Sequence, residues 1–196
     1  MKIGIITFHA AFNYGSMLQA YALQTFLEKK GHQVEIINFR PEIQKKTYSK
    51  PLKWNDKGNI ILSIKRILFT PVEVLKLYRK WNLFNSFLHK YLHITKEFVS
   101  LNSLKEYTFD IDLLITGSDQ IWNTDAFDFS EAYFGCFLKS NIAKVAYAPS
   151  MGPSPEMQDV NYLKTLLQGY RAVSVREERT KQFIVNNGIF KDVEVV

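Results

Sequence analysis

An apolar run at residues 3–8, IGIITF, is followed by a polar loop, HAAFNYGS, a helix-patterned stretch, MLQAYALQTFLEKKG, and a second apolar run at 34–39, VEIINF. A parallel β-α-β unit has this order, and its first loop brings polar side chains and backbone N–H groups to the carboxyl edge of a sheet, where α/β proteins bind ligands. Ile3, Ile5, Ile6 and Phe8 form the nearly continuous apolar stretch of a strand buried on both faces. From Met17 onward, Leu18, Tyr21, Ala22, Thr25 and Phe26 recur at three- and four-residue steps, and Gly31 supplies the left-handed residue that ends a helix. Asn13, Gly15 and Ser16 stand at the amino end of that helix. Two readings fit them: Asn13 and Ser16 cap the helix, or its unpaired N–H groups and dipole receive a phosphate or carboxylate. The loop is neither a Walker loop nor a GxGxxG turn, so its spacing does not specify a nucleotide.

The alternation resumes later in the chain. Strands are predicted at Asp112–Thr116, Lys144–Pro149, Ala172–Arg176 and Val193–Val196, with helices near Asp159–Gly169 and Arg179–Asn187. With the first two strands this makes an α/β fold of Rossmann-like type, a six-stranded, mostly parallel sheet flanked by helices. Pro149, Gly152, Pro153 and Pro155 mark the loop after the fourth strand rather than a domain linker. A chain of 196 residues with 46% apolar content can bury one sizeable core, so one domain is expected.

Residues from about 42 to 105 interrupt the pattern and read as a helical insertion after the second strand. They also hold the excess of positive charge: residues 42–100 contain 12 basic and 4 acidic side chains, a net of +8, against +6 for the whole chain. Within 72–91, Val74, Leu77, Tyr78, Trp81, Phe84, Leu88 and Tyr91 fall on one helical stripe, opposite Lys76, Arg79, Lys80 and Lys90. Such a helix either packs on its own domain with its lysines in solvent, or rests through about 60–91 on an anionic membrane. Nucleic acid is not expected as a partner, because no helix-turn-helix, zinc finger or RNP-type motif accompanies the charge.

GSDQIWN at 117–123 directly follows the strand LLIT, so it projects from the same edge as the Asn13–Ser16 loop. Gly117 and Ser118 allow a tight turn, Asp119 and Gln120 bring a carboxylate and an amide, Trp122 a flat apolar face and Asn123 a further amide. A carboxylate beside an aromatic plate suits a sugar, whose hydroxyls want acceptors and whose C–H face wants stacking. The alternative is a structural turn in which Asp119 caps a helix and Trp122 is core. Arg176 ends the strand AVSV at the same edge, positioned either to grip a carboxylate or to pair with Glu177 or Glu178. His9, just beyond the first strand, is placed as an acid or base, or as a hydrogen-bonded structural residue. His89 and His93 have a zinc-compatible spacing, but Lys90 follows His89 where a zincin has glutamate, so no metal site is expected.

Three segments in order, NYGSMLQAYALQ at 13–24, GSDQIWN at 117–123, and YAPSMG at 147–152 with SVRE at 174–177, resemble the polysaccharide pyruvyl transferase family. The resemblance implies two Rossmann-like lobes around a cleft, in a GT-B-like arrangement about twice this length. This chain then corresponds to the N-terminal lobe, 1–196, with the second lobe absent and a strand still running at Val196. It implies transfer of the pyruvyl unit of phosphoenolpyruvate to sugar hydroxyls of a bacterial cell-surface polysaccharide or its lipid-linked precursor, forming a ketal without a cofactor. It implies that Asn13, Tyr14, Gly15 and Ser16 cradle an anionic end of the donor and that Arg176 binds its carboxylate. Asp119 becomes the base or acceptor anchor, with Gln120, Trp122 and Asn123 shaping the sugar side. By itself the lobe is expected to be inactive, because the second lobe of such enzymes contributes arginine and histidine to the cleft. A nucleotide-sugar glycosyltransferase lobe and a non-catalytic docking module are the rival expectations.

Cys136 has no second cysteine to bond, which fits a reducing, cytoplasmic setting. The apolar run after Met1-Lys2 is too short for a secretory signal, and no apolar span reaches about 18 residues.

Overall fold

A computed structural model describes residues 1–51, 71–138 and 141–196. Six strands, β1 (Lys2–Ile6), β2 (Gln33–Ile36), β3 (Leu113–Gly117), β4 (Ala143–Tyr147), β5 (Tyr170–Val175) and β6 (Val193–Val195), form one sheet in the order 2-1-3-4-5-6. Every neighbouring pair is parallel, so the expected Rossmann-like α/β sheet is present. Six helices accompany it among the described residues: α1 (Tyr14–Lys29), α2 (Glu42–Thr47), α3 (Pro71–Tyr91), α4 (Leu101–Lys105), α5 (Val160–Leu166) and α6 (Glu178–Asn186).

Alternation along the strands divides the core into two layers. Ile3 and Ile5 of β1 and Ile115 of β3 meet Met17 and Ala20 of α1 and Phe84 and Leu88 of α3. Ile6 of β1 and Leu114 of β3 face the other way, into a cluster that includes Trp122, Phe134, Leu163 of α5 and Ile184 of α6. Both faces of the central strands are therefore covered, as their continuous apolar sequences require. The outer edge of β2 is closed where the chain after α3 returns beside it, with bridges at Ile36–Ile94 and Phe39–Phe98.

The region after β2 contains α2, α3 and α4, while 52–70 of the predicted 42–105 insertion, and hence 60–70 of the predicted membrane-facing stretch, lies outside the described residues. The stripe on α3 is narrower than its sequence suggests. Val74, Phe84 and Leu88 are buried, but Leu77 stays largely exposed, because packing on α1 is concentrated in the second half of the helix, and Tyr91 at its end meets Tyr21 of α1 edge-on at 6.1 Å while remaining largely exposed. Gln24 of α1 clasps that end: its amide donates to the Tyr91 carbonyl at 3.2 Å and accepts from His93 N–H at 2.8 Å. No helix among the described residues is long and apolar enough to cross a membrane.

The chain order reverses between β1 and β3, hydrogen-bonded neighbours from which the chain departs in opposite directions, through α1 to β2 and without a further α-helix among the described residues to β4. At such a switch point the loops after the two strands diverge and leave a crevice at the carboxyl edge. Gly117 makes the turn out of β3 possible. Its φ is +139°, and a Cβ there would overlap the Tyr147 carbonyl oxygen on β4. Gly117→Ala is predicted to cost about 3 kcal/mol or more, from backbone strain plus displacement of β4. Urea denaturation checks this, and a loss below about 1 kcal/mol would contradict it.

Candidate active site

β1 ends at Ile6, two residues earlier than its apolar pattern suggests, and the chain turns through Thr7–Phe12 into α1. Asn13 is the N-cap, extended at φ −127°, and its side-chain oxygen accepts from Ser16 N–H at 2.8 Å. The capping expectation is thus met for Asn13 but not for the Ser16 side chain, and the cap leaves the N–H groups of Tyr14 and Gly15 without intrahelical acceptors. Asn13, Tyr14 and Gly15 are exposed, whereas Ser16 is buried.

The two loops meet through one short bond. Ser16 Oγ donates to Asp119 Oδ2 at 2.6 Å and accepts from Asn13 Nδ2 at 3.0 Å. The other Asp119 oxygen accepts from Gln120 N–H at 2.8 Å. Asp119 is half-buried, with room at each carboxylate oxygen for a further donor. Gln19, one turn beyond Ser16 on α1, was not singled out from sequence, yet it ties three elements together. Its amide donates to Thr7 Oγ1 and to the Ser16 carbonyl, both at 2.9 Å, and accepts from Ser118 N–H at 3.3 Å. The available signal was its three-residue step from Ser16 inside the same motif.

The loop after β4 extends this edge toward β5. Ser150 N–H donates to the Asp119 carbonyl at 2.8 Å, and Trp122 N–H donates back to the Ser150 carbonyl at 3.2 Å. Asn123 is half-buried against Gly152, where a Cβ would stand 2.6 Å from its Nδ2, and its Oδ1 accepts from Asp125 N–H at 3.1 Å. Arg176 N–H donates to the Pro149 carbonyl at 3.3 Å, while its side-chain Nε donates to Glu177 Oε1 at 2.8 Å. With β4 between them, β3 and β5 stand roughly 10 Å apart, so Arg176 lies on the same sheet edge two strands from Asp119 and from the β1–β3 crevice.

Two predicted site residues lie elsewhere. Trp122 offers no face to the crevice: it is completely buried, stacked on Phe134 at 5.2 Å between centroids, with Tyr170 edge-on at 5.9 Å. The tight turn from Asp119 to Trp122 sends the indole back under the sheet edge, so the core alternative is the observed one. His9 is also buried, its Nδ1 3.2 Å from the Thr7 carbonyl and its Nε2 2.9 Å from the Asn38 side chain. Both ring nitrogens are engaged, and neither reaches the Asn13–Ser16 loop. Gln120, by contrast, is exposed beside Asp119.

Further groups at this edge carried no clear sequence signal. Gln44 of α2 donates to buried Asp128 at 2.9 Å and to Tyr133 Oη at 3.0 Å. Burial, then the charges of Asp128 and Asp119, push the Tyr48 hydroxyl above its ordinary value, which sets Tyr48 near both carboxylates. Arg40 lies over the Phe12 ring at 5.9 Å and pairs with Glu97 at 3.5 Å, with burial pulling its pKa down.

A half-buried carboxylate fixed by a serine hydroxyl, a helix amino end and an arginine thus stand along one carboxyl edge of a doubly wound α/β fold, the edge at which such folds bind ligands. The sequence model of the family described as polysaccharide pyruvyl transferase matches residues 13–196, from the N-cap of α1 to the last residue, and the chain belongs to that family. Searches of curated proteins and of solved structures returned no match.

Burial pushes the His9 imidazole below its ordinary value, outweighing the hydrogen bonds to Asn38 and Thr7 that raise it. The folded protein thus resists a proton that the unfolded chain accepts, so stability falls as pH drops through the unfolded value of about 6.5. Between about pH 7.5 and about pH 5.5, wild type is predicted to lose roughly 1 kcal/mol more stability than His9→Gln. Denaturation midpoints of both proteins at the two pH values check this, and parallel losses would contradict it.

Proposed function

We propose that the protein transfers the pyruvyl group of phosphoenolpyruvate to a pair of hydroxyls on a sugar of a cell-surface polysaccharide or its lipid-linked precursor. The observation that carries this reading is the Ser16–Asp119 bond across the switch point, made by two motifs of a polysaccharide pyruvyl transferase. The donor is a small, highly charged anion, and the amino end of α1 supplies N–H dipoles for its phosphate. A carboxylate repels phosphate oxygens, so Asp119, fixed beside the amino end of α1, faces the phosphate-bearing carbon rather than the phosphate itself, and stabilises the positive charge that develops there.

In the proposed reaction the donor methylene gains a proton and a sugar hydroxyl adds to the adjacent carbon. A second hydroxyl on the same sugar then displaces inorganic phosphate and closes the ketal. One hydroxyl proton balances the proton gained by the methyl group, and the other leaves with phosphate. Asp119 accepts the hydroxyl proton or anchors the acceptor, with the Ser16 hydroxyl fixing its orientation. Arg176 exchanges its exposed Glu177 partner for the donor carboxylate, a small loss because surface pairs contribute little. Gln120 and Asn123 supply amides to the sugar side, and His9 and Trp122 serve as scaffold beneath it.

Transfer is measured by mass spectrometry, as the gain of one pyruvic acid less one water on glycans with neighbouring hydroxyls. In a two-lobed protein carrying this lobe, Asp119→Asn is predicted to cut turnover at least ~100-fold if Asp119 is the base. A loss confined to acceptor affinity assigns the anchor role instead. Undiminished transfer in the variant, or turnover of uridine or guanosine diphosphate sugars in place of phosphoenolpyruvate, would contradict the proposal.

A further inference from the structure

Beside the contact between α1 and α3 opens a cavity of about 780 Å³. Met17 and Phe84, both buried, form its floor, and Leu18 and Leu83 form walls that are 51% and 66% exposed. Four cations, Lys76, Arg79, Lys80 and Lys90, ring it, and no carboxylate is among the described residues that line it. α3 already satisfies its own core through Val74, Phe84 and Leu88. Its outer face, with Lys76, Arg79, Leu83 and Lys90 at helical spacing, is a second amphipathic surface that folding of the described residues does not use.

We infer that this groove docks the protein on a bilayer containing anionic lipid, with Leu18 and Leu83 entering the boundary between headgroups and acyl chains. Charge complementarity selects the partner. The segment 71–91 carries four lysine or arginine side chains against Glu73 alone, and among the described residues Glu73 pairs with Lys76, at 3.1 Å. Three of the four cations are lysines on flexible stems, which suit a diffuse anionic plane. Protein–protein interfaces are depleted in lysine. Long basic side chains also reach past an apolar patch to phosphates while their stems cover it.

The groove is continuous with the candidate site. Tyr14 follows the Asn13 cap, lines the groove and stands 5.1 Å from Phe84. A bilayer held at the groove therefore lies alongside the amino end of α1, where an acceptor carried on a lipid would arrive. That last consequence rests on the pyruvyl-transfer reading, whereas the docking itself does not.

Co-sedimentation of the 196-residue chain with vesicles of phosphatidylglycerol and phosphatidylcholine at about 0.1 M salt tests the inference. Binding is expected with the mixed vesicles, to be lost with phosphatidylcholine alone or at about 0.5 M salt, and to resist millimolar inorganic phosphate, which separates a surface from a free-anion site. The combined Lys76→Ser, Arg79→Ser, Lys80→Ser variant is expected to bind about 100-fold more weakly. Leu18→Gln with Leu83→Gln should also weaken binding, and Leu83→Trp should be quenched by brominated lipid. Unchanged melting temperatures confirm that the variants are folded. No sedimentation with anionic vesicles, or sedimentation unaffected by the charge or leucine substitutions, would overturn the inference. So would an unquenched Leu83→Trp. None of these outcomes bears on transfer by Asp119, so the two proposals fail separately.

Discussion

The hydrogen bond from Ser16 to Asp119 depends on, and reports, the closest approach of two loops that the sheet order would otherwise send apart. β1 and β3 are neighbours in the sheet, but the chain leaves them toward opposite edges, to β2 after β1 and to β4 after β3. Only short side chains can close the gap between the two loops, and a serine at the first turn of α1 with an aspartate two residues past β3 does so at 2.6 Å. The surroundings make that distance reproducible. Asn13 fixes the helix start, Gln19 links Thr7, the Ser16 carbonyl and Ser118, and Gly117 allows β3 to turn without striking β4. A site held by several converging bonds on strand and helix ends keeps its geometry without a ligand, which is what electrostatic stabilisation of a developing charge demands.

Charge is arranged along this edge by sign. The amino end of α1 offers positive dipoles, Asp119 a fixed negative charge next to them, and Arg176 a cation two strands away that is held by a surface carboxylate. A polar layer of Gln44, Asp128, Tyr133 and Tyr48 extends from α2 toward the same carboxylate. The alternation of acceptors and donors suits an anionic ligand held beside a hydroxyl-bearing one. Part of the excess basic charge lies elsewhere: four of the 12 basic side chains of 42–100 are on α3, away from the Ser16–Asp119 contact.

Strand and helix identity was legible because apolar periodicity is strong here: Ile3, Ile5 and Ile6 read as buried strand, and the Met17–Phe26 pattern as helix. The pairing of the two ligand-edge motifs was also legible, since each follows directly on a strand of one parallel sheet. Side-chain direction in the loops was not. Trp122 shares its loop with Asp119, Gln120 and Asn123, which suggests a surface plate, but Trp122 follows buried Ile121 and its indole stacks on Phe134 in the core. His9 looked like an edge residue because the apolar run appeared to continue through Phe8, whereas β1 stops at Ile6 and the imidazole is drawn beneath Asn38. Gln19 was hidden in a helical pattern, where an amide normally reads as solvent-facing. Leu77 counted toward the α3 stripe by spacing, which cannot tell which half of a helix meets a partner.

The central claim, that the crevice between the Asn13–Ser16 and Gly117–Asn123 loops receives phosphoenolpyruvate, is tested most directly by nuclear magnetic resonance. Isotopically labelled chain is titrated with phosphoenolpyruvate, with inorganic phosphate, pyruvate and a uridine diphosphate sugar as controls, following the amides of Gly15, Ser16, Asp119 and Arg176. Saturable shifts at these four amides with phosphoenolpyruvate, absent with the controls, are predicted. Shifts that appear equally with the nucleotide sugar, or that fall only on residues away from both loops, would contradict the account.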